Sequence, residues 1–330
     1  MMLHVVTGAA GFIGSRLVAA LNRHGIGEIL AVDDLRDGSK GRNLFALEIE
    51  DYMDKREFLA RLTSGALDDA VEAVLHQGAC TNTMETDGAY MLENNYAYSK
   101  AILDWCQDEE VPLVYASSAS VYGAGREFAE VPENERPINL YAYSKCLFDR
   151  VVRRRLPGRS AQIAGLRYFN VYGPNERHKK QEGMNSVAMQ AYEQFRERGH
   201  VRLFVGSEGF GDGGQLRDFV HVDDAVAVNL WLLEHRGVSG IFNCGTGRAQ
   251  TFNEVAATVI NTAGGTRLGI GELVEKGLIR YIPFPPALLG KYQSYTQADL
   301  TRLRAAGCDV EFRPVEHGVA EYVGDLMRGA

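Results

Sequence analysis

Leu3-His4-Val5-Val6-Thr7-Gly8-Ala9-Ala10-Gly11-Phe12-Ile13-Gly14 decides how the rest of this chain is read. An apolar run of strand type passes into three glycines spaced by three. A helical pattern follows at once, with Ile13, Leu17, Ala20 and Leu21 on one face. Glycine permits a tight turn, a close approach of backbone to an anion, and close packing of the following helix on the strand. The helix N-terminus adds unpaired N–H groups. Gly8, Gly11, Phe12, Ile13 and Gly14 are therefore expected to cradle the pyrophosphate of a dinucleotide.

Outward from this loop, strand and helix alternate. Strands are expected over 28–32, 72–76, 111–116 and 162–169, and helices over 12–24, 90–107 and 141–156, the last ended by Pro157-Gly158. Such alternation predicts an α/β fold, a Rossmann-type doubly wound parallel sheet with right-handed crossovers. After about residue 170 the pattern loosens into short strands and Gly- or Pro-rich turns, with a helix over 252–263. The expected organisation is a dinucleotide-binding domain over 1–169, with 218–244 returning to it. A smaller, mixed α/β substrate domain takes 170–217 and 245–330.

Asp33 ends the second strand about 20 residues after the loop, where a carboxylate meets the adenosine ribose hydroxyls. That favours NAD. Arg36, Lys40 and Arg42 follow closely and suit a 2′-phosphate, so the residues leave NAD and NADP both open.

Tyr141 and Lys145 stand four apart on a predicted helix and share a face. A phenol with a pKa of about 10 is a poor base at neutral pH, and a neighbouring ammonium lowers that value. Tyr141 is then expected to take a proton from an alcohol as a hydride leaves the same carbon. Ser117 and Ser118 sit just past the fourth predicted strand, at the carboxyl edge where sites of such sheets form. Ser117 is expected to donate to the substrate oxygen.

The bulk of the chain excludes several classes. Its 330 residues are 45% hydrophobic and 24% charged, which suits a soluble globular protein. A net charge of −8 argues against a broad nucleic-acid surface. No run of about 18 apolar residues suggests a membrane span, and the first strand begins without room for a signal peptide. The five scattered cysteines form no CxxC, so reduced thiols in a cytoplasmic protein are expected, and no metal.

Thr7 to Gly14, Ser117 and Tyr141/Lys145 together resemble the TGxxGxxG, Ser/Thr and YxxxK set of the extended short-chain dehydrogenase/reductase superfamily, in its nucleotide-sugar branch. Arg217-Asp218-Phe219-Val220-His221-Val222-Asp223-Asp224 resembles a further hallmark. Dehydratases of that branch carry an Asp-Glu pair after the catalytic Ser/Thr; Ser118-Ala119 here argues against dehydration. Asp51-Tyr52-Met53-Asp54-Lys55, Gly78-Ala79-Cys80-Thr81, Asn94-Asn95-Tyr96, the run from Arg167 to Pro174, His178-Lys179, Ile282-Pro283-Phe284-Pro285 and the run from Tyr295 to Leu300 narrow the likeness. They resemble the ADP-glycero-manno-heptose 6-epimerases.

That resemblance implies transient oxidation and re-reduction at C6″ of the sugar with bound NADP, for a lipopolysaccharide inner-core precursor. It implies a second proton handler at Lys179, or at Lys180 if the register shifts by one. Cofactor contacts are implied at Asp34, Lys40, Lys55, Gln77, Gly78, Ala79, Cys80, Thr81, Asn94 and Val171, besides Tyr141 and Lys145. Substrate contacts are implied at Asn170, Gln181, Ser186, Gln190, Phe204, Val205, Gly206, Ser207, Arg217 and Tyr292, besides Ser117. It also implies a homo-oligomer, a pentamer. The alternatives are a UDP-hexose 4-epimerase and a non-catalytic NADP-binding sensor.

Overall fold

The computed structural model describes residues 2–36, 38–180, 183–284 and 293–329, with Lys180 described in its backbone alone. Its strands are β1 (Leu3–Thr7), β2 (Ile29–Asp33), β3 (Asp51–Asp54), β4 (Val71–His76), β5 (Leu113–Ser118), β6 (Ile163–Tyr168), β7 (Asn170–Tyr172), β8 (Val201–Phe204), β9 (Leu216–His221), β10 (Gly240–Cys244), β11 (Ala249–Thr251) and β12 (Ile279–Ile282). The helices are α1 (Phe12–Arg23), α2 (Lys55–Thr63), α3 (Gly88–Leu92), α4 (Tyr98–Asp108), α5 (Leu140–Arg155), α6 (Val187–Arg198), α7 (Val222–Glu234), α8 (Phe252–Gly264), α9 (Ile270–Glu275), α10 (Thr301–Ala305) and α11 (Val315–Arg328).

Seven strands form one sheet in the order β10-β6-β5-β4-β1-β2-β3, every neighbouring pair parallel. Both faces are covered, so the strands are apolar on both sides. On β1, Val5 packs with Phe58, Ile102 and Phe148 on one face, and Val6 with Leu17, Ala225 and Leu232 on the other. This is the Rossmann-type doubly wound sheet. The winding direction reverses between β1 and β4, and a crevice opens beyond the carboxyl ends of those two strands.

The remaining strands make a three-stranded sheet, β11-β9-β7, and a two-stranded one, β12-β8. A separate apolar cluster joins them to α6, α8 and α11 through Met189, Val201, Val255, Val259, Val319 and Val323. The chain returns to the large sheet through α7 and β10: β10 pairs with β6, and Arg16 of α1 grips Asp223 of α7 through two bonds of 2.9 and 2.8 Å.

Two local features depart from the sequence expectation. β3 is a four-residue edge strand in which only Met53 is buried, too short and polar for periodicity to reveal. The single helix expected over 90–107 is α3, a π turn at Glu93–Ala97, and α4. Such turns recur at functional sites, and this one carries Asn94 and Asn95.

Candidate active site

The glycine loop folds as its sequence requires. Gly8 takes φ +67°, and a Cβ there would lie 2.8 Å from Cα of Gly78 on the neighbouring strand end. A Cβ on Gly14 would lie 2.0 Å from the Gly8 carbonyl oxygen. Gly11 caps α1 with no side-chain acceptor, so the first-turn N–H groups face outward. In front of them lies a cavity of about 600 Å³. Its walls include Gly8, Gly11, Phe12, Ile13, Gly14, Asp33, Asp34, Lys40, Lys55, Gln77, Gly78, Ala79, Cys80, Thr81 and Asn94, together with Arg36, Ser39, Tyr90, Tyr98, His178 and Lys179. Size, glycine backbone and helix terminus fit a dinucleotide.

One end of the cavity is dense with charge. Asp33, almost wholly buried, accepts the Ala10 N–H at 2.8 Å on Oδ2, and the Lys40 ammonium at 2.6 Å and the Asp34 N–H at 2.7 Å on Oδ1. It thus braces the glycine loop, and one further lone pair, on Oδ2, remains for a ribose hydroxyl. The Arg36 guanidinium beside Asp34, at 2.7 Å, holds that carboxyl well below the usual range, with help from Lys55 at 3.3 Å. Lys55 Nζ also donates to Asn94 Oδ1 at 2.8 Å.

The π turn sends the next residue elsewhere. Asn95, fully buried, clamps the backbone of Cys80 from both sides, accepting its N–H at 2.8 Å and donating to its C=O at 2.9 Å. It also donates to Ser144 Oγ of α5 at 3.1 Å. A second buried chain runs beneath the loop. Ser99 Oγ donates to the Asn95 carbonyl at 2.8 Å, so it accepts from His76 Nε2 at 2.8 Å. His76 Nδ1 then accepts from Thr7 Oγ1 at 2.6 Å, and Thr7 accepts the Gly78 N–H at 3.1 Å. Burial pushes the His76 imidazole down to about 3, aided by the Lys145 charge, so it is neutral.

α5 begins at Asn139, whose side chain accepts the Ala142 N–H at 2.8 Å, and presents Tyr141 and Lys145 toward β5. Lys145 Nζ donates to the Ala116 carbonyl at 2.8 Å. Burial pulls its pKa down to about 8, against the opposing pull of Asp149 and Cys80. Tyr141 differs from the sequence expectation. Burial raises its pKa, and the bond from Ser118 opposes that rise. In the free protein desolvation outweighs any lowering by the ammonium.

The two serines face different partners. Ser117 Oγ donates to the buried Asp149 at 2.9 Å, whereas Ser118 is the hydroxyl beside Tyr141. Strand period explains this: Tyr115 and Ser117 share the face covered by α5, and both bond Asp149. The residues after Ser118, Ala119-Ser120, are still non-ionisable, so the argument against dehydration survives.

Lys179 lies in a 3₁₀ turn (Arg177–Lys180) on the rim of the same cavity, its Nζ 5.3 Å from the centre of the Phe12 ring. His178 packs beside Asn43, its pKa lowered chiefly by burial. The buried Glu176 secures this turn. It accepts the Ser186 N–H at 2.5 Å and the Ser186 hydroxyl at 2.6 Å, and its carbonyl accepts the Lys179 N–H at 3.0 Å. Ser186 is therefore a brace and the N-cap of α6, and its hydroxyl is already committed.

The other residues named from resemblance make the following contacts. Phe204 stacks on Phe284 with ring centres 4.6 Å apart. A Cβ on Gly206 would meet the Phe210 carbonyl oxygen at 2.2 Å. Gln215 donates to the Val205 carbonyl at 2.8 Å and to Ser207 Oγ at 3.3 Å. The buried Arg217 faces the Phe252 ring at 6.0 Å. Asn170 opens β7 and is exposed, and Val171 packs against the main core. Gln190 spends its amide on the Asn185 carbonyl at 2.8 Å. Gln181, Tyr292 and the Lys180 side chain lie outside the described residues.

Residues 4–245 match the NAD dependent epimerase/dehydratase family. The chain belongs to that family. Over 328 residues it is 54% identical to the ADP-L-glycero-D-manno-heptose-6-epimerase of Thiobacillus denitrificans, covering 98% of each chain. The crystal structure of the Helicobacter pylori ADP-L-glycero-D-manno-heptose-6-epimerase superposes with a TM-score of 0.80 at 26% identity, covering 99% of this chain and 96% of that one. The Thermus thermophilus UDP-glucose 4-epimerase in complex with NAD gives 0.77 at 28% identity, covering the whole of both chains. The chain is thus an enzyme, an epimerase of the NAD dependent epimerase/dehydratase family.

Among this epimerase's site residues, sequence reading passed over His76, Asn95, Asp149 and Glu176. Only Asp149 has a visible signal: Tyr141, Lys145 and Asp149 recur every four residues on one helical face. The other three act through backbone or through partners far along the chain. No helix among the described residues is long and apolar enough to cross a membrane.

Proposed function

We propose that this epimerase inverts C6″ of ADP-D-glycero-D-manno-heptose to the L-glycero epimer with bound NADP, in the cytoplasm, as a step toward the lipopolysaccharide inner core. The observation that carries the substrate is the end-to-end 54% identity with an ADP-heptose 6-epimerase. NADP is supported by the cations Arg36 and Lys40, with the Ser39 hydroxyl between them in sequence, on the rim beside Asp33. The glycine loop, Lys55 and Asn94 would hold the dinucleotide, which supplies a hydride acceptor that later returns the same hydride. Residues 1–169, with 218–244 returning to them, then serve the cofactor, while 170–217 and 245–330 serve the sugar.

Tyr141 receives the proton of the C6″ hydroxyl as that carbon becomes an aldehyde, and Ser118 steadies the oxygen. The Lys145 charge favours the phenolate and opposes the effect of burial. After the aldehyde presents its other face, Lys179, on the rim of the cavity, delivers a proton. The hydride returns and the proton from Lys179 replaces the one lost to Tyr141, so the sugar undergoes no net oxidation; Tyr141 then gives up its proton to solvent and Lys179 regains one. Arg217 is suited to the substrate diphosphate, and Phe204 and Ser207 to the nucleoside.

The test is substrate choice. Purified enzyme is expected to interconvert the two ADP-heptose epimers and leave UDP-glucose unchanged. Interconversion of UDP-glucose with UDP-galactose instead would overturn this reading. Mass spectrometry of the copurified nucleotide decides NADP against NAD.

A further inference from the structure

α5 and β5 are joined at four consecutive strand residues. Tyr115 OH donates to Asp149 Oδ1 at 2.9 Å, Lys145 Nζ donates to Ala116 O at 2.8 Å, and Ser117 Oγ donates to Asp149 Oδ2 at 2.9 Å. Ser118 bonds Tyr141. Asp149 supplies two of these four links and is wholly buried. It also accepts Arg167 Nε at 2.9 Å, and Arg167, equally buried, continues to Glu135 and then to Arg153. The Tyr122 ring lies 4.9 Å from the Arg167 guanidinium.

A buried ion cluster is weak evidence of a contribution to stability, since apolar side chains of the same volume often serve as well. Its position therefore matters more than its existence. The cluster lies directly behind the seam that aligns the Ser118 and Tyr141 hydroxyls, and its carboxylate lies one helical turn beyond Lys145. Facing Lys145 are Tyr141 and Asp149 on its own helix, the thiol of Cys80, and the neutral ring of His76 on β4. Asp149 is the carboxylate in that set, and Arg167 with Glu135 and Arg153 holds it in place.

We propose that Asp149 is a positioning residue for this reaction: through β5 it sets the Ser118–Tyr141 pair, and along α5 it keeps Lys145 protonated at working pH. The inference rests on the reading of Tyr141 and Lys145 as the proton-handling pair. It does not rest on which sugar is bound.

Two substitutions separate the two effects. Asp149→Asn keeps the shape and removes the charge; Asp149→Glu keeps the charge and displaces the seam. Each is compared with wild type as holoenzyme, by the pH profile of kcat and by ¹³Cε NMR titration of Lys145, assigned through Lys145→Arg. For Asp149→Asn, the Lys145 midpoint and the alkaline limb of kcat both fall by about one pH unit, with KM within threefold. For Asp149→Glu, the midpoint stays at the wild-type value and kcat falls at least fivefold at every pH.

A folded Asp149→Asn protein with an unmoved Lys145 midpoint overturns the electrostatic effect. An Asp149→Glu protein with undiminished kcat overturns the positioning effect, and decides the matter if Asp149→Asn does not fold. If wild type leaves ADP-heptose unchanged while the Lys145 midpoint still falls in Asp149→Asn, the substrate reading fails and the electrostatic effect of Asp149 stands.

Discussion

Lys145 Nζ is tied to the carbonyl oxygen of Ala116 at 2.8 Å, so the ammonium is anchored to the strand while the tyrosine hydroxyl is met by Ser118. Tyr141→Phe removes the proton handler and leaves this anchor intact. It is expected to lower kcat by about 10²–10⁴-fold, with cofactor affinity unchanged within threefold. Turnover assays and copurified nucleotide content check both parts. Retained turnover would count against Tyr141 as the base.

Ser117 and Ser118 are expected to fail differently. Ser117→Ala deletes a bond to a buried carboxylate and costs about 1.5–3 kcal/mol of stability. Ser118→Ala leaves the core alone and lowers kcat by tenfold or more. Urea unfolding and initial rates on both variants check the contrast.

Lys40 grips Asp33 at the rim of the cavity. Lys40→Ala removes a cation beside the ribose end and unmasks Asp33. NADP affinity is expected to fall about tenfold or more, with NAD affinity changing less than threefold. Calorimetric titration of nucleotide-free enzyme with each cofactor measures the difference.

Gly14→Ala places a Cβ 2.0 Å from a backbone oxygen with no flexible side chain to yield. The loop must shift. The expected result is several kcal/mol of destabilisation together with loss of bound nucleotide, checked by thermal unfolding and by absorbance of the purified protein. Gly25→Ala is the control, since open space surrounds that position and only its φ of +77° is strained.

His76 is neutral in the fold, with its pKa pushed down to about 3 from an ordinary 6.5. Below pH 6.5 the unfolded chain binds a proton that the native chain does not. Stability from this residue is therefore full above pH 6.5 and is lost as pH falls toward about 3, at up to about 1.4 kcal/mol per unit. His76→Gln is expected to flatten the fall in unfolding free energy between pH 6.5 and 5. An unchanged slope would show that other groups carry it.

The glycine loop, the strand–helix alternation and the YxxxK face were legible because each is a local pattern with one physical meaning. The edge strand β3 was not, since four half-polar residues carry no usable period. The bond from Ser117 to Asp149 was not legible because strand period tells which residues share a face, not which helix covers it. The inward role of Asp33 and the brace made by Ser186 depend on Ala10, Lys40 and Glu176, which only the fold brings near. Phe204, Gly206, Ser207 and Arg217 were named by family likeness alone, since the Gly-rich loop between β8 and β9 has no period to read.

The π turn at Glu93–Ala97 shows what regularity this chain forgoes. One extra residue in the turn rotates the helix before it by about 100° relative to the helix after it. Adjacent amides thereby serve separate clients: Asn94 reaches Lys55 in the cavity, and Asn95 reaches the backbone of Cys80 and Ser144 on the tyrosine helix. Deleting Tyr96 would restore an unbroken helix of better intrinsic geometry and misalign one of the two. The flaw in the helix is thus a phase shifter, and a redesign that sought to regularise it would uncouple the cofactor wall from the catalytic helix.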